Sequence, residues 1–191
     1  MQQYRLQYMI QKFTRKEFVR DSSKLFLLMS GTGLILSNCN SQTKTKIRFS
    51  RFAEAMSFVE NYKDEKSVEV NGVWTFPQMI AHCAQSIEYS IKGFPVNKSA
   101  MFQNTIGHLA FEYFSYKGEM SHSLSEPIPG APEIPKDLGV QESIKRLFLS
   151  IDQFLNYKGN FAPHFAYGNL TKKEYEKAHS FHLANHLSEL I

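Results

Sequence analysis

From residue 47 onward the chain alternates between stretches with apolar residues at helical spacing and short polar breaks marked by Gly or Pro. Phe49, Phe52, Ala53, Met56 and Val59 fall on one stripe, which predicts an amphipathic helix over 49–62. Residues 68–74, containing the turn pair Asn71-Gly72, read as a short β-like or looped link. Thr75-Phe76-Pro77-Gln78 then opens a helix: Thr75 can cap, Pro77 suits the first turn, and Gln78 closes a capping box. That helix is expected to run to Ile91 and stop at Gly93, with Phe76, Met79, Ile80, Cys83, Ile87 and Ile91 inward.

Residues 99–117 predict a further helix ended by Gly118. Residues 121–139 hold Pro127, Pro129, Pro132 and Pro135 among Ser and Gly, a long irregular loop of the kind that is often functional. Gln141 to Tyr157 carries Ile144, Leu147, Phe148, Ile151, Phe154 and Leu155 at helical spacing and ends at Gly159. Thr171-Lys172-Lys173-Glu174 is a second capping box, opening a last helix expected to continue to the C-terminus. There is no internal repeat and no strand-rich region. The economical fold class is all-α, an antiparallel helix bundle with an extra helix and a long Pro-rich loop.

The first 46 residues follow a different pattern. Thr14-Arg15-Lys16-Glu17-Phe18-Val19-Arg20 precedes an uncharged run from Leu25 to Leu36. Twelve residues are too few to span a bilayer, which needs about 20, but they match the apolar region of an export signal behind a basic segment. The stretch resembles a twin-arginine leader in which Lys16 replaces the second arginine; a Sec route fits as well. Ile35-Leu36-Ser37-Asn38-Cys39 resembles a lipoprotein box, with Cys39 as the acylated new N-terminus and Asn38 where a smaller residue is usual. These features divide the chain into an export signal (1–39), a polar spacer (40–46) and a helical domain (47–191). The competing reading is a buried N-terminal helix, against which the polar spacer argues. Met9 serves as a start codon as well as Met1. The expected location is periplasmic or membrane-anchored.

Length and charge sharpen this picture. A chain of 191 residues suits one domain with a substantial core. The net charge of +4 belongs to the leader: residues 1–39 carry six Lys/Arg against two acids, and residues 40–191 carry sixteen of each. A domain with no excess cation lacks the electrostatic footprint of nucleic-acid binding. With lipid on Cys39, the other cysteine, Cys83, has no disulfide partner and reads as a small buried hydrophobe.

The candidate chemistry lies in the histidines. His179, His182 and His186 recur at i, i+3 and i+7, on the sector of the last helix that should face the core. Buried imidazoles are costly unless paired, and the i, i+4 pair His182/His186 has the reach to place two ring nitrogens on one ion. Histidines at that spacing also occur by chance, so an interior polar network or a wet groove fits the spacing too. A third ligand has to come from another helix, and His82 is the natural candidate, with a groove-lining histidine as its alternative. Cys83 points a further 100° round that helix, away from such an ion. His108, His122 and His164 read as surface residues or as partners of the ligands.

Two blocks carry a resemblance. Trp74-x-Phe76-x-Gln78-Met79-x-x-His82-x-x-Gln85-Ser86-x-Glu88 with Gly93-x-Pro95 is one. His164-x-x-x-Gly168-x-Leu170-Thr171-x-x-Glu174-Tyr175, running into His179-x-x-His182-x-x-x-His186-Leu187, is the other. Together they resemble the DinB/YfiT-like superfamily, in the bacterial branch catalogued as domain of unknown function 1569, over most of residues 47–190; Tyr175 stands where Trp is commoner. The resemblance implies a four-helix bundle of the DinB type with one divalent metal ion (zinc, nickel or similar) held by His82, His182 and His186. Relatives include thiol-dependent transferases and hydrolase-like proteins, and the branch itself implies no particular reaction.

Two functional classes follow. In a metal-dependent hydrolase or transferase, three neutral imidazoles leave one coordination position open, His179 acts as acid/base or supporting partner, and the loop 121–139 covers the mouth. In a non-catalytic module at the membrane surface, the same pocket holds a metal or small ligand without turnover. Glu88 lies too far round and along its helix to serve as base. The expected partners are a metal ion, an unidentified small molecule, a membrane through Cys39 and a second copy of the chain as a homodimer. Export makes cytosolic thiols less natural co-substrates.

Overall fold

Two capping boxes fix where the main helices begin, and the computed structural model, which describes residues 47–190, forms both. Its helices are α1 (Phe52–Glu60), α2 (Phe76–Lys92), the single turn α3 (Ala100–Phe102), a π-helical turn (Gln103–Gly107), α4 (His108–Lys117), α5 (Val140–Asn156) and α6 (Lys172–Leu187). The leader 1–39, the spacer 40–46 and Cys39 lie outside the described residues. The described part is all-helical, with no strand and only two isolated β-bridges. Among the described residues no helix is long and apolar enough to cross a membrane.

At the start of α2 the Thr75 hydroxyl accepts from the Gln78 backbone N–H, and the Gln78 carboxamide oxygen accepts from the Thr75 N–H at 3.1 Å. At the start of α6, Thr171 and Glu174 make the same reciprocal pair, the Thr171 N–H donating to Glu174 Oε2 at 2.7 Å. Each box satisfies two backbone donors that a helix end otherwise leaves unpaired. Gly93 and Gly118 follow α2 and α4 with positive φ, as expected of helix stops.

The core gathers around α2, which packs on α5 and α6; α1 packs on the same two helices, and α4 touches α6. Of its apolar stripe, Phe76, Met79, Ile80, Cys83 and Ile87 are buried as the periodicity requires, and Ile91 is half-buried against the core. Phe52 meets Phe154 edge-on at 5.3 Å, joining α1 to α5. Glu88 is held by Arg146, whose Nε and Nη2 donate to its two oxygens at 2.8 and 3.0 Å, and by the Ser150 hydroxyl at 3.1 Å. Glu88 is therefore a tie between α2 and α5.

Three features depart from the sequence reading. The region 99–117 is not one uniform helix but is widened by the π-helical turn. Such insertions come from one extra residue in a helix and often accompany functional sites. The last helix stops at Leu187 instead of continuing, because the chain turns to pair with the 68–74 link. There the Asn71 N–H donates to the Glu189 carbonyl at 2.7 Å and Val70 bridges Leu190. The first helix is confined to Phe52–Glu60, though Phe49 still packs into the core.

Residues 119–139 form no helix and lie back on α2. The carboxamides of Gln78 and Gln85 donate to the carbonyls of Ile134 and Pro132 at 3.3 and 3.1 Å. Both glutamines are buried, and these bonds satisfy them. Met120 and Ile128, both within the segment, are buried.

Candidate metal centre

His82 on α2 and His182 and His186 on α6 come together. The Nε2 atom of His182 lies 3.2 Å from that of His82 and 3.1 Å from that of His186. One nitrogen from each residue lies within 4.8 Å of the others, close enough for the three to hold one metal ion. Tetrahedral coordination with metal–nitrogen bonds of about 2.0–2.1 Å separates ligand nitrogens by about 3.3–3.4 Å. The two short edges nearly match that spacing.

Linear hydrogen bonds do not serve both contacts of this triangle at once. A ring nitrogen carries either one proton or one in-plane lone pair. His182 Nε2 can therefore serve only one of its two contacts, and the remaining nitrogen faces it uncompensated. A single cation satisfies all three lone pairs together. The donor set of three imidazoles suits zinc, nickel or copper better than magnesium or calcium.

Burial keeps the rings neutral. His82 is pushed down to about 3, by burial first and then by the charge of His122. His186 is pushed down to about 2, by burial and then by His82 and His122. His182 lies well below the ordinary imidazole value, again through burial and then through its neighbouring histidines. Neutral imidazole is the form that binds metals. The Nδ1 atoms of His82 and His186 are buried without a hydrogen-bond partner. Metal-binding histidines usually donate from that nitrogen to a carboxylate or carbonyl. Here ring packing does the orienting: Trp74 stacks on His186 at 5.8 Å and 7° and packs on His82 at 4.7 Å. Trp74 follows the link whose Val70 bridges Leu190, just beyond the end of α6.

The other histidines divide differently from their sequence reading. His108 is exposed, as expected. His122 is exposed as a residue, yet its ring lies 5.0 and 5.4 Å from those of His182 and His186. Burial of the ring is the main cause of its lowered pKa; the Ser123 carbonyl and Glu126 act in the opposite direction. Its Nδ1 bonds the Ser123 carbonyl at 2.6 Å. His164 is buried, which excludes the surface alternative of its sequence reading. Cys83 is a buried free thiol whose pKa is raised by burial, and it is not one of the three converging ligands.

His179 is brought to the same region without joining the triangle. It is buried, stacked on Tyr175 at 5.4 Å and on Phe52 at 6.1 Å, and its Nε2 has no hydrogen-bond partner. Burial pushes it down to about 3. A cavity of about 240 Å³ adjoins these side chains. Its walls include His82, His179 and His182, with Met120, His122 and Pro127 from the irregular segment. Sequence reasoning missed the packing of Trp74 on the site and left the part of His122 open, because both reach the site through contacts distant along the chain.

No curated protein and no solved structure matches this chain. A family model does match, over residues 41–191, which takes in every side chain of the site. The chain belongs to the family described as protein of unknown function (DUF1569).

Proposed function

We propose that this protein is a metal-dependent enzyme of the hydrolase or transferase class, with one divalent ion held by His82, His182 and His186. The observation that carries the reading is the close approach of three neutral imidazole nitrogens from two helices, an arrangement that one cation would satisfy. When bound there, the ion supplies a Lewis-acid charge that polarises an oxygen or sulfur ligand and eases its deprotonation. The chain's residues supply the rest. Met120 and the segment after it wall the cavity and limit water, and the Gln78 and Gln85 bonds hold that segment in place. His179 borders the cavity as a neutral hydrogen-bonding partner; with a pKa of about 3 it is a poor base near neutral pH. The packing of α1, α2, α5 and α6 supports a four-helix bundle of the DinB type, with residues 121–139 as its long Pro-rich loop.

The proposal includes location. Residues 1–39 act as an export leader, and lipid on Cys39 holds the domain at a membrane surface. Mass spectrometry of the protein from its native host tests this: a mature chain beginning at an acylated Cys39 supports it, and an intact N-terminus refutes it.

One observation favours a second reading, a non-catalytic module that binds a metal or small ligand. Among the described residues, the acid bordering the cavity is the exposed Glu126, and no carboxylate joins the three histidines as a ready base. Screening the metal-loaded protein against ester, amide and thiol-transfer substrates separates the two. Turnover that disappears in H182A supports the enzyme; tight metal binding with no turnover supports the module.

A further inference from the structure

The cavity has a second polar wall, on a loop that the π-helical turn holds rigid. His164 lies in the turn before α6, where its N–H donates to the Gly168 carbonyl at 2.7 Å and the Gly168 N–H returns to the His164 carbonyl at 3.0 Å. Gly168 closes this turn with φ +76°, a region that favours glycine. The Gln103 carboxamide, in the π-helical turn, donates to both the His164 and Phe165 carbonyls at 3.2 Å. The Lys98 N–H donates to the Phe165 carbonyl at 2.8 Å. Gly107, closing the π-helical turn, lies so near Ala166 that an added Cβ would overlap its carbonyl oxygen. A plain α-helix here would displace either Gln103 or Gly107 from the loop. The irregularity of the helix and the rigidity of the loop are one feature.

This loop fixes the chemistry of the His164 ring. Its Nδ1 lies 3.2 and 3.1 Å from the backbone N–H groups of Ala166 and Tyr167. Those groups only donate, so Nδ1 is the bare acceptor and the ring proton resides on Nε2. The ring is clamped by Tyr167, stacked at 4.2 Å and 8°, and met edge-on by Phe94 at 5.1 Å. Nε2 has no acceptor among the described residues. His164 borders the same cavity as His82, His179 and His182.

We infer that His164 is a ligand-binding residue: its fixed Nε2–H donates to the carbonyl oxygen of a small carboxylate or amide bound in the cavity beside the three-histidine site. The inference rests on the reading of that cavity as the place where substrate meets the ion, and it adds the substrate class. Lys98 also borders the cavity and favours a carboxylate, whereas Glu126 on the opposite sign favours an amide. The donor requires only the oxygen the two share. The clamp of two backbone amides, Gln103 and Tyr167 prevents the ring from turning its bare nitrogen to that oxygen. The site thus selects acceptors over donors.

The test uses the full chain without added metal, labelled with ¹⁵N at histidine, and titrates it with benzoate and with benzamide. The expected result is an Nε2–H tautomer for His164, and an Nε2 resonance that shifts saturably with at least one probe. H164N keeps an oxygen able to accept from Ala166 and Tyr167 in an Asx turn but removes the distant donor. It should bind that probe about tenfold more weakly, the value of one net hydrogen bond at the upper end of its range. Its metal content should remain that of the wild type. A shift with benzoate alone assigns a carboxylate, and with benzamide alone an amide. An Nδ1–H tautomer, no saturable shift with either probe, or undiminished binding by H164N overturns the inference. Loss of metal in wild type and variant alike would count against the metal reading instead, whatever the probes show.

Discussion

Replacing Gly107 with alanine tests how the π-helical turn supports the site. Helix propensity taken alone favours alanine by about 1 kcal/mol. The structure predicts the opposite sign. A Cβ at residue 107 would overlap the Ala166 carbonyl oxygen and come within 2.9 Å of its carbon, with the Phe102 carbonyl oxygen at 3.3 Å. Ordinary contacts of a carbon lie at about 3.5–4.0 Å, so the overlapping Ala166 carbonyl oxygen must retreat by more than about an ångström. All three obstructing atoms are backbone, and the 164–168 turn that carries them is fixed by the Gln103 and Lys98 bonds. Overpacking typically costs about 1–3 kcal/mol, and an immobile backbone places this case at the upper end. After the propensity gain, G107A should be about 2 kcal/mol less stable than the wild type. For a domain of this size that lowers Tm by about 4–8 °C. Urea unfolding followed by far-ultraviolet circular dichroism measures the difference, with thermal melting as a second reading. An unchanged or raised urea midpoint would refute the close approach and, with it, the account of why the helix widens there.

Other expectations follow from single residues. H179F should raise stability by about 1 kcal/mol in urea unfolding, because it removes a buried Nε2 that lacks a partner while keeping the ring packed against Tyr175 and Phe52. A loss of stability would show that this nitrogen has a partner the packing does not reveal. E88Q should cost about 1–2 kcal/mol at neutral pH, a value reduced for the partial exposure of the Arg146 pair. Burial raises the Glu88 pKa, but the Arg146 and Ser150 hydrogen bonds and the charges of Arg146 and Lys92 outweigh it, and the net shift is downward. The wild-type advantage should be complete above the ordinary carboxylate value of 4.5 and disappear as pH falls through the lower folded value. A pH-independent gap would contradict that. Cys83, buried with its pKa raised, should resist thiol reagents in the native protein and react only on unfolding, as read by peptide mass mapping.

What the sequence revealed depended on whether the signal was local. Thr75 with Gln78 and Thr171 with Glu174 announced two helix starts, since a capping box is complete within four residues. Gly93 and Gly118 marked two stops for the same reason. His182 and His186 were legible as a pair through their spacing on one helix. His82 was legible as a candidate partner from its helix, but its separation of 100 residues from His182 leaves no periodic trace, and the family-like blocks were needed to prefer it to a groove-lining histidine. The end of α6 was misread because the pairing of Asn71 with Glu189 decides it, and no pattern near residue 187 records that contact. His164 looked like a loop residue, and its burial depends on Gln103 and Gly107 in a turn whose π-helical form no apolar periodicity marks. His122 and Trp74 reach the imidazoles by the same kind of distant contact.

Metal content per chain, measured by mass spectrometry of elements after dialysis, tests the central claim most directly. The full chain, with H82A, H182A and H186A beside it, should retain one equivalent of a divalent transition metal in the wild type. Each variant should fall to a small fraction of that while keeping its helical circular dichroism. Equal metal in the wild type and all three variants, or none in a folded wild type offered zinc and nickel, would contradict it.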